Sequence, residues 1–479
     1  MDLIENYTGS FLDLDHGFAW DGSRLRAVRD RLSKELRRLG VEAGDRVLFA
    51  IGNGPCFPAA LAAVLMAGAC PILLHFETPP GEFNRLAVNY RAAFALCETW
   101  PEADLPPFST STATLDLGPS SHLTFAALRD GKPTGDPPFT SIPSVPLHPT
   151  SGTTGMPKIA VRHGTAAVAE ARNYQRTMGV TAEDTIFCVV PMSHAYGFGT
   201  SVTMPLLAGA KVVSSRRFQP HLVARSLKDH AVTTFPAVPA MLHLLLVAAR
   251  GPMTELPPRV LSAGAPLPQQ TAEAFFDRAG RAVQSLYGST ETGGIAVDVN
   301  AARSPNMGCV GPAMESVSVE VRPAAESGAS EPVNGAVRVK SPSMMAGYLT
   351  PQGIDASHIV DGWFQTGDLG YLDAAGRIHL VGRESEVINV FGLKVIPSEV
   401  EAVIRQIAGV TDVKVYAGQH RSGSQIVKAA IAAVDSLDVA AIREHCARQL
   451  VGYKRPEVIT RLDSLPRNSA GKIIRDQLP

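Results

Sequence analysis

The sequence predicts a large α/β body followed by a small β subdomain and a separate C-terminal α+β domain. The chain has 479 residues, which is too long for one ordinary hydrophobic core. Strand-like and helix-like segments alternate over roughly the first 260 residues, and this order favours a parallel sheet covered by helices. After about residue 305, short Val-rich strands with Gly and Pro turns replace the alternation.

Apolar spacing predicts each element of the α/β body in turn. Residues 25–39 place apolar side chains on one face of a helix, and Gly40 provides its stop. The next predicted elements are a strand at 46–51, a helix at 57–67, strands at 71–75, 186–190 and 211–213, a helix at 221–228, and strands at 233–235 and 260–261. Residues 101–146 are rich in Pro, Ser and Thr, and we predict a long surface connection with little core there.

The C-terminal third has its own pattern. Strands are predicted at 317–321, 335–340 and 377–381, then at 413–416 and 427–434, with a helix at 438–450. A helix begins at Pro397, where Ser398 and Glu401 have the spacing of a capping box. About a hundred residues with an independent α+β pattern indicate a separate domain.

Composition excludes several classes of function. The 44 basic residues balance 45 acidic ones, so nothing favours nucleic acid or an anionic membrane, and a small-molecule partner is expected. The six cysteines are scattered without metal-ligand spacing and are predicted to be reduced, mostly buried thiols. The start of the chain lacks the features of a signal peptide, and no apolar stretch reaches the roughly 20 residues of a membrane helix. A cytoplasmic location is therefore expected.

A loop rich in Ser, Thr and Gly, residues 149–158, is the strongest local signal for a polyphosphate. Glycines allow close backbone approach, hydroxyls and amides donate hydrogen bonds, and Lys158 adds a cation. The loop is not a Walker A motif, because Met156 and Pro157 separate Gly155 from Lys158 and Ile159 follows. Taken alone, such a segment could equally be an ordinary surface loop.

Four further segments carry chemistry-bearing residues. They are Tyr287 to Gly294, Trp363 to Asp368, the pair Gly382 and Arg383 with Gly392 after it, and Pro466 to Ile473. Singly, each could be a turn or a solvated tail. Together and in this order, the five segments resemble the adenylate-forming superfamily of acyl-CoA synthetases, nonribosomal peptide adenylation domains and luciferases.

The resemblance implies a domain plan and a set of roles. An N-terminal domain of two α/β subdomains and a β subdomain would span 1–382, a hinge 383–386, and a mobile C-terminal domain 387–479. Ser385 departs from the Asp or Lys common at the hinge. The implied catalytic residues are Lys472, Glu291 and His194, with Glu291 and Thr154 as magnesium ligands and Gly392 at a pantetheine tunnel. The implied ATP and AMP contacts are Thr150, Ser151, Gly152, Thr153, Thr154, Gly155, Lys158, Ala263, Gly264, Ala265, Tyr287, Gly288, Ser289, Thr290, Asp368 and Arg383. Among them, Tyr287 with Ala263 to Ala265 would contact the adenine, Asp368 would bind the ribose hydroxyls, and Arg383 would support the nucleotide.

The acyl pocket implied by the resemblance is small and apolar. Its residues are His194, Ala195, Tyr196, Phe198, Ala237, Ala263, Gly293, Gly294 and Ile295. Relatives that activate amino acids carry an aspartate, and those for 2-hydroxybenzoates an asparagine, where this chain has Ala195. The pocket therefore suits a simple aryl, arylalkenyl or medium-length aliphatic acid.

The leading functional prediction is an ATP-dependent acid–thiol ligase. It would use ATP and Mg²⁺ to form an acyl adenylate from a small carboxylic acid, release pyrophosphate, and pass the acyl group to coenzyme A. One alternative is an enzyme that loads the phosphopantetheine of an acyl carrier protein. An alternative of another class is a catalytically silent nucleotide-binding protein, which the intact Lys158, Glu291, Asp368 and Lys472 disfavour. Luciferase-type oxidation has no supporting feature.

Overall fold

The computed structural model describes most of the chain as two compact units. The described residues are 3–98, 109–118, 121–128, 145–150, 157–249, 251, 253, 256–303, 308–323, 334–350, 352–390, 393–419, 425–434, 437–467 and 473–479. The first unit comprises Met1–Ser318 and Val339–Phe364, and the second comprises Val319–Arg338 and Gln365–Pro479.

The described elements run in the following order. The strands are β1 Ser10–Asp13, β2 Phe18–Asp21, β3 Arg46–Ala50, β4 Cys70–Leu73, β5 Phe94–Glu98, β6 Ser109–Gly118, β7 Ser121–Leu128, β8 Leu147–Pro149, β9 Ile159–Val161, β10 Thr185–Cys188, β11 Lys211–Ser214, β12 Thr234–Ala237, β13 Arg259–Ser262, β14 Gln284–Ser289, β15 Gly293–Val297, β16 Cys309–Pro312, β17 Ser318–Pro323, β18 Gly335–Lys340, β19 Gly347–Thr350, β20 Gly353–Asp355, β21 Ile359–Val360, β22 Trp363–Leu372, β23 Arg377–Arg383, β24 Ile388–Val390, β25 Leu393–Val395, β26 Val410–Gln419, β27 Gln425–Ala433 and β28 Val458–Leu462. The α-helices are α1 Gly22–Arg38, α2 Cys56–Met66, α3 Pro80–Asn89, α4 Gly164–Met178, α5 Ala195–Phe198, α6 Met204–Ala208, α7 Pro220–Asp229, α8 Pro239–Ala248, α9 Gln269–Ala279, α10 Pro397–Arg405 and α11 Val439–Gln449.

Two mixed sheets form the first unit. One has the order β15-β14-β13-β12-β10-β11-β1-β2 and is parallel from β14 to β1, with an antiparallel strand at each edge. The other has the order β20-β19-β9-β8-β4-β3-β5-β7-β6 and is parallel only from β8 to β5. The parallel centres confirm the predicted α/β fold class, and hairpins without an intervening helix supply the antiparallel pairs β1–β2, β14–β15, β6–β7 and β19–β20 at the sheet edges.

Helix α1 shows how the local sequence produces these elements. The Asp21 carboxylate accepts a hydrogen bond from Arg24 N at 2.8 Å, which satisfies one of the free amides at the helix start. Arg37 and Arg38 lie in the last turn, where positive charge stabilises the carboxyl end. Leu25 and Leu32 belong to the buried face, as the 3.6-residue spacing predicts.

The prediction of a surface connection at residues 101–146 is wrong for 109–118 and 121–128. These residues form the hairpin β6–β7 at the edge of the second sheet. Leu115, Leu117, Leu123 and Phe125 alternate along the strands and are at most 6 % exposed within the core of the first unit. Their two-residue period was hidden in the sequence because Thr112, Thr114 and Thr124 alternate with these apolar residues, while Ala126 and Leu128 on the opposite face of β7 belong to a second buried cluster.

The described part of the second unit combines three sheets with helices. Strands β23, β22, β18 and β17 are adjacent in that order, β24 and β25 form an antiparallel pair, and β26, β27 and β28 form a three-stranded sheet. Helices α10 and α11 pack on a core that includes Val400, Ile404, Val413 and Ile442. This α+β pattern confirms the predicted character of the C-terminal part, while the hinge at 383–386 stays a prediction.

The predicted capping box at the start of α10 is wrong. The Ser398 hydroxyl donates to the carbonyl of Val381 in β23 instead of capping its own helix. The Glu401 carboxylate accepts from Val415 N at 2.9 Å and pairs with Lys414 at 3.3 Å. Tertiary partners therefore outcompete the local motif, since a buried glutamate requires a donor and a cation.

The remaining fold predictions concern thiols and membranes. All six cysteines are buried free thiols, as predicted from their scattered positions. Among the described helices, each is too short or too polar to cross a membrane.

Candidate functional site

The carboxyl ends of the parallel strands gather the predicted adenine and acyl residues of the first unit. Strands β12 and β13 end side by side, and Ala263 N donates to the Ala237 carbonyl at 3.2 Å. Gly264 follows with φ +84°, a left-handed conformation that favours glycine. Tyr287, in the adjacent β14, is 8 % exposed. Ligands of open α/β sheets bind at this edge.

The segment Tyr287 to Gly294 is a tight hairpin between β14 and β15. The Ser289 and Thr292 hydroxyls lie 3.0 Å apart, and Thr292 N donates to Ser289 Oγ at 3.2 Å, so the turn containing Thr290 is closed by its own side chains. A Cβ at Gly288 would lie 2.6 Å from the Gly293 carbonyl oxygen. Only glycine fits there, which explains the small residues of this motif.

Strands β8 and β9 hold the two ends of the phosphate loop together. They pair antiparallel with Pro149 opposite Ile159, and Thr150 N donates to the Lys158 carbonyl at 2.7 Å. Thr150 and Lys158, at the two ends of the loop, are thus held together. The predicted contacts Ser151, Gly152, Thr153, Thr154 and Gly155 lie outside the described residues.

Lys158 and Glu291, predicted to bind phosphate and magnesium, meet at one tyrosine. The Lys158 ammonium lies 4.8 Å from the centroid of the Tyr348 ring, within cation–π range. The Tyr348 hydroxyl donates to Glu291 Oε1 at 2.7 Å. Sequence reasoning missed Tyr348, because a tyrosine in a short strand is most often core.

The His194 segment leads from strand β10 into the short helix α5. The backbone turns through bonds from His194 N to Pro191 O at 3.1 Å and from Phe198 N to His194 O at 2.7 Å. His194 is exposed, whereas Phe198 is fully buried. The ring centroids of His75 and His194 are 6.5 Å apart. Tyr196 is half-buried, and burial raises the pKa of its hydroxyl.

His148 in β8 is a buried imidazole next to the predicted acyl residues. Its ring packs edge-on against Phe198 with centroids 4.9 Å apart. Burial, followed by the charges of Arg162 and His194, lowers the pKa of His148 to about 3. The residue is therefore neutral at physiological pH.

The lowered pKa of His148 predicts a loss of stability in acid. Unfolded histidine takes up a proton near pH 6.5, whereas folded His148 does so only near pH 3, so stability is lost as the pH falls through this window. His148→Gln cannot titrate, and its thermal unfolding midpoint should fall less than that of the native chain between about pH 7 and about pH 5. Parallel falls in both proteins would contradict this assignment.

A buried ion pair that the sequence analysis did not identify lies behind Gly293 and Gly294. Arg162 Nη2 and Glu170 Oε2 are 2.8 Å apart, and both side chains are at most 2 % exposed. Glu170 Oε1 also accepts from Gly294 N at 3.2 Å. That bond ties helix α4 to strand β15, and Arg162 Nε donates to the Ser343 carbonyl at 3.1 Å.

Gly293 and Gly294 form a wall in which close packing leaves room only for glycine. A Cβ at Gly293 would lie 2.7 Å from Glu170 Oε1, and one at Gly294 would lie 2.7 Å from Tyr174 Cζ. Tyr174 is itself 2 % exposed. The wall formed by Gly293 and Gly294 is therefore backed by filled space.

The predicted ribose carboxylate lies in the second unit with its own cation. Asp368 and Arg383 are directly opposite in the antiparallel pair β22–β23, and Arg383 Nε lies 2.8 Å from Asp368 Oδ1. Asp368 is 6 % exposed, and its backbone N donates to Thr366 Oγ1 at 3.0 Å. The two predicted nucleotide contacts, Asp368 and Arg383, are thus held in register by one β ladder.

Two further predicted residues, Gly392 and Lys472, also lie outside the described residues. Within the described part of the chain, no three His, Cys, Asp or Glu side chains converge as a metal site. Mg²⁺ commonly takes only one or two protein carboxylates together with substrate phosphates. The half-buried Glu291 carboxylate near Lys158 fits that donor set.

Two family models match long parts of the sequence. A family model described as AMP-binding enzyme matches residues 11–349, and one described as AMP-binding enzyme C-terminal domain matches residues 399–472. The chain is 31 % identical to a 2-succinylbenzoate–CoA ligase of Enterococcus faecalis over 68 % of this chain and 67 % of the relative. It is 26 % identical to an indoleacetate–CoA ligase of Aromatoleum aromaticum over 95 % of this chain and 92 % of the relative.

Solved structures share the fold. ATP-bound MatB from Rhodopseudomonas palustris superposes with a TM-score of 0.83 at 22 % identity, covering 98 % of this chain and 95 % of MatB. The amide bond synthetase McbA from Marinactinospora thermotolerans gives a TM-score of 0.82 at 25 % identity, covering 99 % and 97 %. Since the first family model spans more than half of the sequence, the chain belongs to the AMP-binding enzyme family.

Proposed function

We propose that the chain converts a small carboxylic acid to its acyl adenylate with ATP and then to its coenzyme A thioester. The curated relatives include CoA ligases, so the predicted enzyme class, an AMP-forming acid–thiol ligase, is confirmed together with its cofactors ATP, Mg²⁺ and coenzyme A. The observation that carries the proposal is that Lys158, at the end of the phosphate loop, and Glu291 both contact Tyr348.

The first step joins two anions. An oxygen of the acid carboxylate forms a bond to the α-phosphorus of ATP, and the bond from that phosphorus to the bridging oxygen breaks as pyrophosphate leaves. In this proposal Lys158 binds the departing phosphates, and Glu291 would hold magnesium, which would neutralise phosphate charge; both side chains contact Tyr348. Lys472 is the proposed cation at the carboxylate and the α-phosphate.

The second step uses the thiol of coenzyme A. Its sulfur forms a bond to the acyl carbon, and AMP leaves as the carbon–oxygen bond of the anhydride breaks. The thiol proton passes to solvent or a base. We infer that movement of the domain that carries Lys472 separates this step from the first, as lids do in other enzymes.

The proposed acid is aryl or arylalkenyl, with medium-length aliphatic acids as the alternative. Ala195, Ala237, Gly293 and Gly294 are small, so a flat ring could lie against them. Tyr174 and the Arg162–Glu170 pair fill the space behind the two glycines, which limits the depth of the pocket on that side. Relatives named for 2-succinylbenzoate, indoleacetate and 4-hydroxybenzoate or benzoate act on acids that contain an aromatic ring.

The alternative functions differ in the molecule that accepts the acyl group. A carrier-protein phosphopantetheine would replace coenzyme A in a loading enzyme, and an amine would replace it in an amide synthetase such as McbA, to which the chain is 25 % identical. All of these enzymes would release pyrophosphate in the presence of the acid. A catalytically silent nucleotide-binding protein would not.

The test is pyrophosphate release across a panel of aryl, arylalkenyl and aliphatic acids. Each acid is assayed with coenzyme A, with a holo carrier protein, with an amine and without acceptor, and products are identified by mass spectrometry. The proposal expects acid-dependent pyrophosphate release and an acyl-CoA with at least one aryl acid. If pyrophosphate release is accompanied only by carrier-bound acyl groups or only by amides, the acceptor is not coenzyme A. If no acid causes release of pyrophosphate, the proposal is overturned.

A further inference from the structure

Tyr348 occupies a position that the implied roles leave without an assignment. Strand β19 pairs antiparallel with β9, which places Tyr348 opposite Ala160 and therefore beside the end of the phosphate loop. The ring is 7 % exposed. One face lies 4.8 Å from the Lys158 ammonium, and the ring of His358 packs perpendicular to it at 5.0 Å. The tyrosine is thus held rigidly by its surroundings.

The segment that contains Met345 and leads into β19 holds Glu291 at two points. Met345 N donates to the Glu291 carbonyl at 2.7 Å, and the Tyr348 hydroxyl donates to the Glu291 carboxylate at 2.7 Å. The next residue along, Thr292, is held through its carbonyl, which accepts from Ser343 Oγ at 2.7 Å. Both the backbone and the side chain of Glu291 therefore accept hydrogen bonds from the segment that contains Met345 and Tyr348.

These contacts give Tyr348 two separable actions. Its hydroxyl fixes the rotamer of Glu291, and its ring attracts the Lys158 ammonium. Groups that orient a metal ligand commonly affect metal affinity without touching the metal. A rigid tyrosine between the two charged residues would hold both near the positions that a metal–nucleotide complex requires.

We propose that Tyr348 is a positioning residue that couples Lys158 to Glu291 for binding of magnesium and ATP. The inference rests on the proposed function, because it assumes that Glu291 and Lys158 contact the metal and the phosphates. Its two actions predict different defects. Loss of the hydroxyl weakens the magnesium-dependent part of ATP binding, whereas loss of the ring also weakens ATP binding without metal.

The experiment measures ATP binding by calorimetry at a series of magnesium concentrations and in EDTA. The proteins are the native chain, Tyr348→Phe, Tyr348→Leu and the control Tyr7→Phe. Tyr7 donates a buried hydrogen bond to Ala210 O at 2.8 Å, so its variant also removes one buried hydroxyl. Thermal unfolding of all four proteins reports any general loss of structure.

Tyr348→Phe is expected to need at least about tenfold more magnesium for half-maximal enhancement of ATP binding, with unchanged affinity in EDTA. Tyr348→Leu should bind ATP more weakly in EDTA as well, and Tyr7→Phe should match the native chain in both conditions. A native magnesium requirement in Tyr348→Phe would overturn the inference. So would ATP-binding losses that follow the unfolding temperature equally in Tyr348→Phe and Tyr7→Phe.

The outcome is independent of the identity of the acid, because the binding measurement contains none. A native chain that binds magnesium and ATP but activates no acid would contradict the proposed function and leave the role of Tyr348 standing. Acid activation by the native chain, together with a native magnesium requirement for ATP binding in Tyr348→Phe, would support the proposed function and contradict the role of Tyr348.

Discussion

Lys472→Ala is expected to slow formation of the acyl adenylate by about 10²–10³-fold, the usual cost of removing one donor at a site of developing charge. Carboxylate and α-phosphate repel each other, and a positioned ammonium offsets that repulsion. ATP binding should persist, because Lys158 and Glu291 are unchanged. Single-turnover release of pyrophosphate measures the effect, and calorimetry measures ATP binding.

The matched control for Lys472 is Lys454→Ala, which removes another lysine of the C-terminal part. Lys454 is paired with Glu399 at 2.5 Å and has no implied role in the reaction, so pyrophosphate release should stay at the native rate. Synthetic acyl adenylate should still react with coenzyme A in the Lys472→Ala variant. Equal losses of ATP binding, adenylation and thioester formation would contradict the assigned role.

Glu170→Gln is expected to destabilise the first unit by about 3–5 kcal/mol, because it leaves the buried charge of Arg162 without its partner. Glutamine keeps an oxygen that can accept from Gly294 N, so the substitution removes charge more than it removes hydrogen bonding. Urea unfolding monitored by fluorescence measures the change.

Burial, and not the pairing distance, should determine this cost. Glu444 and Arg448 form an ion pair at 2.7 Å that is largely exposed, and Glu444→Gln should leave the unfolding midpoint almost unchanged. The double variant Arg162→Met with Glu170→Gln should lose less stability than the sum of the two single losses, by a coupling free energy of about 0.5–3 kcal/mol. Similar midpoints for Glu170→Gln and Glu444→Gln would contradict the proposed burial effect.

Much of the fold was predictable because the elements carry strong local patterns. The spacing of Leu25 and Leu32 predicted α1, and short apolar runs bounded by Gly or Pro predicted the parallel strands. The hairpin β6–β7 was missed, since the Ser and Thr residues of these strands give the segment the composition of a surface loop. The prediction of a capping box at Ser398 was wrong because the motif implies a hydrogen bond within helix α10. In the folded chain, the Ser398 hydroxyl donates instead to the distant carbonyl of Val381.

The candidate site was predictable where function imposes unusual residue combinations. The loop ending at Lys158 and the segment containing Glu291 are such cases, but neither indicates what holds it in place. Tyr348 and Arg162 contribute through contacts with residues far away in sequence, which no local pattern reveals. Glu170 did leave a signal, because it falls on the buried face of α4 beside Ala171 and Tyr174, where an unpaired carboxylate is not tolerated.

The most direct measurement of the central claim follows oxygen from the acid. An acid that the enzyme accepts is labelled with ¹⁸O in its carboxylate and converted in the presence of ATP and coenzyme A, and the products are analysed by mass spectrometry. Passage through an acyl adenylate predicts one labelled oxygen in AMP and none in pyrophosphate. Unlabelled AMP, or label in inorganic phosphate with ADP as the second product, would contradict the adenylate mechanism.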